Sequence, residues 1–425
     1  MGMNRRWALI ALGYAWSLGT MAQEPASGTV ASIRTVPDSG YFWPGRPVDH
    51  QLVFRTRAMY DASSIRNELV SALWHGGNID RELRERSANN GGGPERAGYL
   101  LEADLSYAGG DRLFGNERIR PLVSVGWRQV MGVRYSDDLY NLTFFGNGAH
   151  ENATMALAPS AFEQVRYQTL GLGIQAVGSG SFIALHLVNG QDMSGARIRQ
   201  ADLFTATDGR YLNLALDGDH VRSADDGNNG WRSRGIGAAL SFQWVRPFTA
   251  GRHGLCAVIG GSDLGITAWN RRSLSVRRDS TILYQGIRLD GVLDLDNVLI
   301  SREGIQDTLG LGFKEGGFIR PLPGNVYASL RLDGAFRMRY QAEVDMRYLP
   351  GYLPHAVLSA TRAHERVWYR AEVSYGGFGG MRGGLMAGWH PCGGYWLEVG
   401  LRNVTGLMGG RMRGQALSVG MGYAW

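Results

Sequence analysis

The chain has 425 residues, 62 of them Gly against 13 Pro and 2 Cys, and a formal charge of +6 from 44 basic and 38 acidic side chains. Glycine at about twice its ~7% background with little proline excludes collagen-like and Pro/Gly low-complexity chains. A 44% hydrophobic and 19% charged content excludes simple disorder, two cysteines exclude a disulfide scaffold, and the scattered charges form no basic tract that would engage nucleic acid.

Arg5 and Arg6 precede an apolar run from Trp7 to Trp16 and the tripeptide Thr20-Met21-Ala22. A positive start, an apolar run shorter than the ~20 residues of a spanning helix and an A-x-A-like site predict a signal peptide over 1–22, cleaved near Ala22. A single exported domain over 23–425 is then expected, with no further apolar run of ~18 residues to make a helical span.

One stretch, 63–89, breaks an otherwise β-like pattern. Ile65, Leu69, Leu73 and Trp74 fall at helical spacing, Gly76-Gly77 interrupts, and the charged RELRER sequence follows. Two short helices are predicted, as a plug in a barrel mouth or as a loop insertion.

Elsewhere the period is two. Tyr99, Leu101, Ala103, Leu105 and Tyr107 alternate with Leu100, Glu102, Asp104 and Ser106; Val123, Val125 and Trp127 alternate with Ser124, Gly126 and Arg128. Ile236, Ala238, Leu240, Phe242 and Trp244 repeat the device. From Phe336 to Tyr348 every even position is apolar, while Arg337, Arg339, Gln341, Glu343, Asp345 and Arg347 stand between. Val367 to Tyr375 and Tyr395 to Leu401 flank Arg370, Glu372 and Glu398, with Arg402 next. Shorter strand candidates lie at 51–57, 139–146, 162–177, 181–189, 210–217, 254–260, 270–290, 308–314, 326–332 and 383–390, some of them loop hairpins. Strand side chains point alternately to opposite faces, so each segment has one apolar and one polar surface. Repetition in segments of about 10 residues predicts an all-β fold, a transmembrane antiparallel up-and-down barrel of about 14 strands (roughly 12–16), apolar face to lipid.

The last segment is the most specific. Leu417, Val419, Met421, Tyr423 and Trp425 occupy every second position, and the final residue given is aromatic. This resembles the C-terminal assembly signal of outer-membrane barrels, recognised by the assembly machinery, and predicts a strand that closes against the first so that no backbone edge is left unpaired in lipid. Within such a wall, Gly171-Leu172-Gly173 and Gly420-Met421-Gly422 are expected to be strand glycines rather than phosphate-binding loops.

The helical NELVSALWHGGNIDRELRERSANN, the central SDLGITAW at Ser262 to Trp269 and the C-terminal strands together resemble an uncharacterised Bacteroidetes outer-membrane family, known only as a domain of unknown function. That family is similar in turn to the long-chain fatty-acid transporter (FadL-like) barrels. The resemblance implies fourteen strands with an N-terminal plug. The Asn-Pro-Ala signature of the transporter group is absent, Phe42-Trp43-Pro44-Gly45 standing near the N-terminus instead.

No catalytic site, metal or cofactor is expected. The nine histidines are scattered, none beside a serine and an acidic residue, and no HExxH or C-x-x-C pattern occurs. His186 falls on the polar side of Ile183, Leu185 and Leu187. The acidic stretches 225–230 and 294–297 read as solvated turns, and a Cys256–Cys392 bridge is permitted by an exported compartment without being deducible.

The lumen-facing candidates are Arg337, Arg339, Glu343, Asp345, Arg370, Glu372, Glu398 and Arg402, four of each sign, expected to pair rather than to set up one field. The expected function is a passive conduit for small or hydrophobic molecules in a bacterial outer membrane, gated by 63–89. The alternatives are a non-conducting docking subunit of an envelope secretion or assembly complex and, third, a rim hydrolase.

Overall fold

The computed structural model describes residues 34–35, 42–43 and 50–425, except 89–92, 111–114, 117, 178, 225–231, 251–252, 286–311, 335–337, 365, 392–393, 408 and 410–411. The expected signal peptide and its cleavage site, the acidic stretches at 225–230 and 294–297, Arg337 and Cys392 lie outside the described residues. Cys256 is a buried free thiol.

Alternation builds a wall of fourteen strands. In chain order they are β1 (His50–Ala62), β2 (Glu95–Gly109), β3 (Ile119–Tyr135), β4 (Ser160–Ala176), β5 (Phe182–Thr205), β6 (Gly235–Ala250) and β7 (His253–Trp269). They continue as β8 (Asn325–Asp333), β9 (Met338–Arg347), β10 (Leu353–His364), β11 (Val367–Gly377), β12 (Arg382–Trp389), β13 (Tyr395–Leu401) and β14 (Gln415–Ala424). Each pairs antiparallel with its chain neighbour. β14 then pairs with β1, from Gln415 opposite Tyr60 to Ala424 opposite Gln51, and the sheet closes. Closure satisfies the backbone groups of both edges, which is the condition for a sheet to sit in hydrocarbon.

The faces sort as the period predicts. Along β11, Tyr369, Val373 and Tyr375 are 60%, 47% and 64% exposed, while Arg370, Glu372 and Ser374 between them are buried. Along β5, Ile183, Leu185 and Leu187 point out, and Ala184, His186 and Val188 point in. An apolar band continuing round the wall far exceeds the ~300–600 Å² patch that a soluble monomer exposes, and in lipid it carries no hydration cost.

The two ends differ. The end holding His50 and Trp425 has short turns, such as those between β6 and β7 and between β10 and β11; the other carries the long insertions. At that second end β5 outgrows the wall, its Ser194–Thr205 half pairing with Tyr211–Arg222, which pairs with Leu274–Gln285. The expected strands at 210–217 and 270–290 therefore belong to this extension, their described parts lying outside the closed wall.

Among the described residues three α-helices sit at the same end. α1 (Asn67–His75) stops at Gly76, whose φ of 75° suits a residue without a side chain. α2 (Arg81–Ser87) is capped by Asp80, which accepts from the Leu83 N–H at 2.7 Å. α3 (Asp137–Phe145) corrects the strand expected at 139–146. Ser136 caps it, and Asp137 and Asp138 favour its positive N-terminal pole. Its many apolar positions serve two sides of a helix: Tyr140 and Phe144 pack on Leu69 and Leu83 of α1 and α2, and Leu142 packs on Met155, Leu157 and Leu203.

Candidate functional site: a bridged lumen

The inward side chains of the wall meet in mid-barrel. Arg128 of β3 donates from Nε to Asp263 Oδ2 of β7 at 3.1 Å and from Nη2 to Asp104 Oδ1 of β2 at 2.7 Å. Strands β4, β5 and β6 separate β3 from β7 in the wall, so this bond crosses the lumen. Arg347 of β9 makes a second crossing, 2.8 Å from Glu102 of β2, which also accepts from Arg57 Nη2 at 2.6 Å. Buried charges are costly alone, and here each is opposed by at least one partner.

A local irregularity aims Asp263. Opposite Ser241 of β6, strand β7 carries both Ser262 and Asp263, a bulge that shifts the register, and Asp263 takes φ +55°. An extra residue turns the following side chains by one position, and a left-handed non-glycine residue costs about 1 kcal/mol, which Asp tolerates better than most. The Asp263 N–H bonds to Ser241 Oγ at 3.1 Å, and its carboxylate accepts from Tyr167 OH at 3.1 Å.

On the short-turn side of these bridges lies a cavity of about 210 Å³. Every wall strand except β10 and β11 contributes to its lining. Charges nearly balance there: Arg55, Arg57, Arg128, Arg347 and Arg402 face Glu102, Asp104, Asp263, Glu343, Asp345 and Glu398. Inward glycines give the lining side chains their room. A Cβ on Gly171 would overlap Ser124 Oγ and the His186 ring, and one on Gly400 would lie 2.6 Å from Ser418 Oγ. Below the cavity Arg120 Nη2 donates to Gln175 Oε1 at 2.7 Å and to Gln51 Oε1 at 3.3 Å, in a buried polar layer.

On the loop side the bridges are covered by an apolar layer. Leu100, Val130, Tyr167 and Trp269 from the wall pack against Leu322, Leu349, Tyr352 and Phe378 from inward-folded connections. Phe378 is fully buried. Gly98 and Gly132 admit it, since a Cβ on Gly98 would overlap its ring and one on Gly132 would meet Leu349 and Pro350. Tyr352 OH donates to Asp345 Oδ1 at 2.6 Å and His355 Nδ1 lies 2.7 Å from Asp345 Oδ2, which ties the 348–352 connection inward.

The sequence-derived residues distribute as follows. Glu343, Asp345, Glu398 and Arg402 line the cavity. Arg370 and Glu372 are buried, Arg370 bonding Thr361 Oγ1 at 3.1 Å and Glu372 accepting from Arg402 Nε at 2.9 Å. Glu398 accepts from Arg55 at 3.1 Å, and Arg339 pairs with Asp333 at 2.7 Å. Leu417, Met421 and Trp425 are exposed on the outer face of β14, and Tyr423 stacks between Tyr395 at 4.2 Å and Trp425 at 5.0 Å. Sequence reasoning missed the central pairings of Arg128, Asp263, Arg347 and Tyr167. Arg128 and Arg347 were visible as polar members of alternating runs. Asp263 was not, because the bulge breaks the period at that residue.

α1 and α2 pack with α3 at the rim, and no described residue of 63–89 lines the cavity. Asn67 fastens α1 to the 402–414 connection: its N–H bonds to Met412 O at 2.9 Å, and its Nδ2 donates to Gly406 O at 3.0 Å and Gly414 O at 3.2 Å.

A closed antiparallel wall, an outward apolar band and a polar interior define a membrane-spanning β-barrel of the outer-membrane type. Neither a family model nor a characterised protein matches the sequence. Among solved structures the chain is similar to TodX, the P. putida toluene transporter, at 9% identity over 89% of this chain and 91% of that one, with a TM-score of 0.39. The deltaS2S3 mutant of TodX, a monoaromatic hydrocarbon channel, gives 10% identity over the same shares and a TM-score of 0.42. The translocator domain of autotransporter NalP from Neisseria meningitidis gives 9% over 89% of each chain and 0.31.

Proposed function

We propose that the protein is a passive conduit for small molecules across a bacterial outer membrane, held here in a closed state. The observation that carries this reading is the cavity of about 210 Å³ inside the barrel, roofed by the bridges with the inward-folded connections beyond them. Interactions that cross a lumen between distant strands can break without disturbing the wall ladder.

The helical segment 63–89 gates from the rim. Its base reaches the apolar cover through Arg96: the Ser63 N–H bonds to Arg96 O at 2.9 Å, and Arg96 Nη2 donates to Gly379 O at 3.0 Å, next to Phe378. Movement of the helices thereby reaches the ring that closes the lumen.

Single-channel recording in planar bilayers tests this. Low conductance is expected for the intact chain, with larger and longer openings after deletion of 63–89. Silence in both, from protein that is folded by heat-modified gel mobility, rejects the conduit. A second reading, a non-conducting docking subunit, draws support from Leu73, Trp74 and Leu407, each at least half exposed at the loop end. It predicts stoichiometric co-purification of a large envelope partner.

A further inference from the structure

Side chains that line the cavity carry a set of unmet hydrogen-bonding valences. His186, nine-tenths buried on β5, lines it with neither Nδ1 nor Nε2 bonded. Arg55 Nη1, Arg347 Nε, Asn325 Oδ1 and Ser418 Oγ, which line the same space, likewise have no partner. A neutral imidazole offers one donor and one acceptor, the arginine nitrogens only donate, the amide oxygen only accepts, and a hydroxyl does both. Leaving such groups unsatisfied is expensive, so the space suits an occupant that both donates and accepts from several positions.

We infer that this cavity is a binding station for a small uncharged polyhydroxylated solute, of hexose size or smaller, with His186 as its central contact. The inference rests on the conduit reading and names the class of solute that would pause in the lumen. The balance of fixed charge excludes an ionic ligand as the best fit. Five arginines face six carboxylates, and the central ones are engaged with each other, so an anion or cation would have to break existing pairs to gain one. A hydrocarbon would bury the open valences without meeting them. Hydroxyls on successive carbons answer both kinds of group without disturbing the bridges. Gly171 leaves the room that the imidazole itself needs at the edge of the cavity, because a Cβ there would collide with the His186 ring.

The test is equilibrium titration of the full chain with glucose, in a detergent without a sugar headgroup, with acetate and toluene as the charged and apolar probes. Saturable glucose binding is expected. His186→Ala should weaken it about ten-fold, the loss of one or two hydrogen bonds, while His186→Gln, which keeps a donor and an acceptor, should stay within about three-fold. Gly171→Ala should weaken it by displacing the His186 ring. Heat-modified gel mobility confirms that each variant is folded. No glucose binding by the wild type, equal binding by folded His186→Ala, or tighter binding of acetate or toluene overturns the proposal. Binding without conductance would leave the station standing and remove the conduit; conductance without binding would do the reverse.

Discussion

His50 and Trp425 hold each other at the seam of the barrel. The His50 N–H donates to Trp425 O at 3.0 Å, the Trp425 N–H donates to His50 O at 3.1 Å, and their rings stack with centroids 5.2 Å apart. His50 Nδ1 is also 2.7 Å from Tyr107 OH, so the contact runs from β14 through β1 to β2. Trp425→Ala keeps the backbone pair and removes the ring, which is half exposed. A destabilisation of about 1–2 kcal/mol is expected, less than for a buried Trp, and is read as a lower temperature of heat-modified gel mobility.

Asp263→Ala removes a carboxylate shared by Arg128 and Tyr167. Arg128 keeps Asp104, so the expected loss is about 2–4 kcal/mol, towards the lower range for breaking a buried ion pair. Asp263→Asn retains the tolerance of a positive φ and a hydrogen-bond acceptor, and should lose less. Thermal unfolding in detergent ranks the two variants. An order with Asn the worse would contradict the role assigned to the bridge.

Phe378→Ala empties the centre of the apolar cover. A folded variant less stable by about 3–5 kcal/mol, with a higher open probability in bilayers, is expected. Gly98→Ala attacks the same contact from the wall, displacing the ring from its seat, and should shift conductance in the same direction.

Leu185 is 69% exposed on the outer face of β5. Leu185→Arg places a charge in hydrocarbon and should cost about 2–4 kcal/mol near the bilayer midplane. Leu73→Arg, on the exposed side of α1, should be nearly neutral. Equal small effects at both positions, by unfolding in lipid vesicles, would contradict the assignment of the band to lipid.

Tyr140, on α3 outside the spanning strands, donates its hydroxyl to Arg84 O at 2.8 Å, and burial pushes its phenol from 10.0 up to about 12. The folded state favours the protonated ring. Its contribution is therefore fully present below pH 10 and is lost as pH rises towards 12. Fluorescence of the neighbouring helical segment, which carries Trp74, should change across that window, and Tyr140→Phe should abolish this component.

The wall was legible because its signal is local. The runs at Phe336 to Tyr348 and Val367 to Tyr375 state at each residue which way it points, and the apolar half of β14 announces a closing strand. Helix α3 was misread for a related reason. A helix buried on two sides has apolar residues nearly all round, and over a short run that is indistinguishable from strand alternation. The cap formed by Ser136 with the acidic first turn was the available clue.

Sequence alone thus determined the long alternating strands of the wall, their faces and their closure, since a period of two depends only on neighbouring residues and on which solvent each face meets. Tertiary structure decided that Arg128 meets Asp263, that Glu102 takes Arg57 and Arg347, that His186 joins the lining of the cavity and that Phe378 turns inward. Those outcomes depend on the curvature of a closed sheet and on a one-residue bulge, which bring Arg128 to Asp263 and Arg347 to Glu102, pairs more than a hundred positions apart that no local pattern connects.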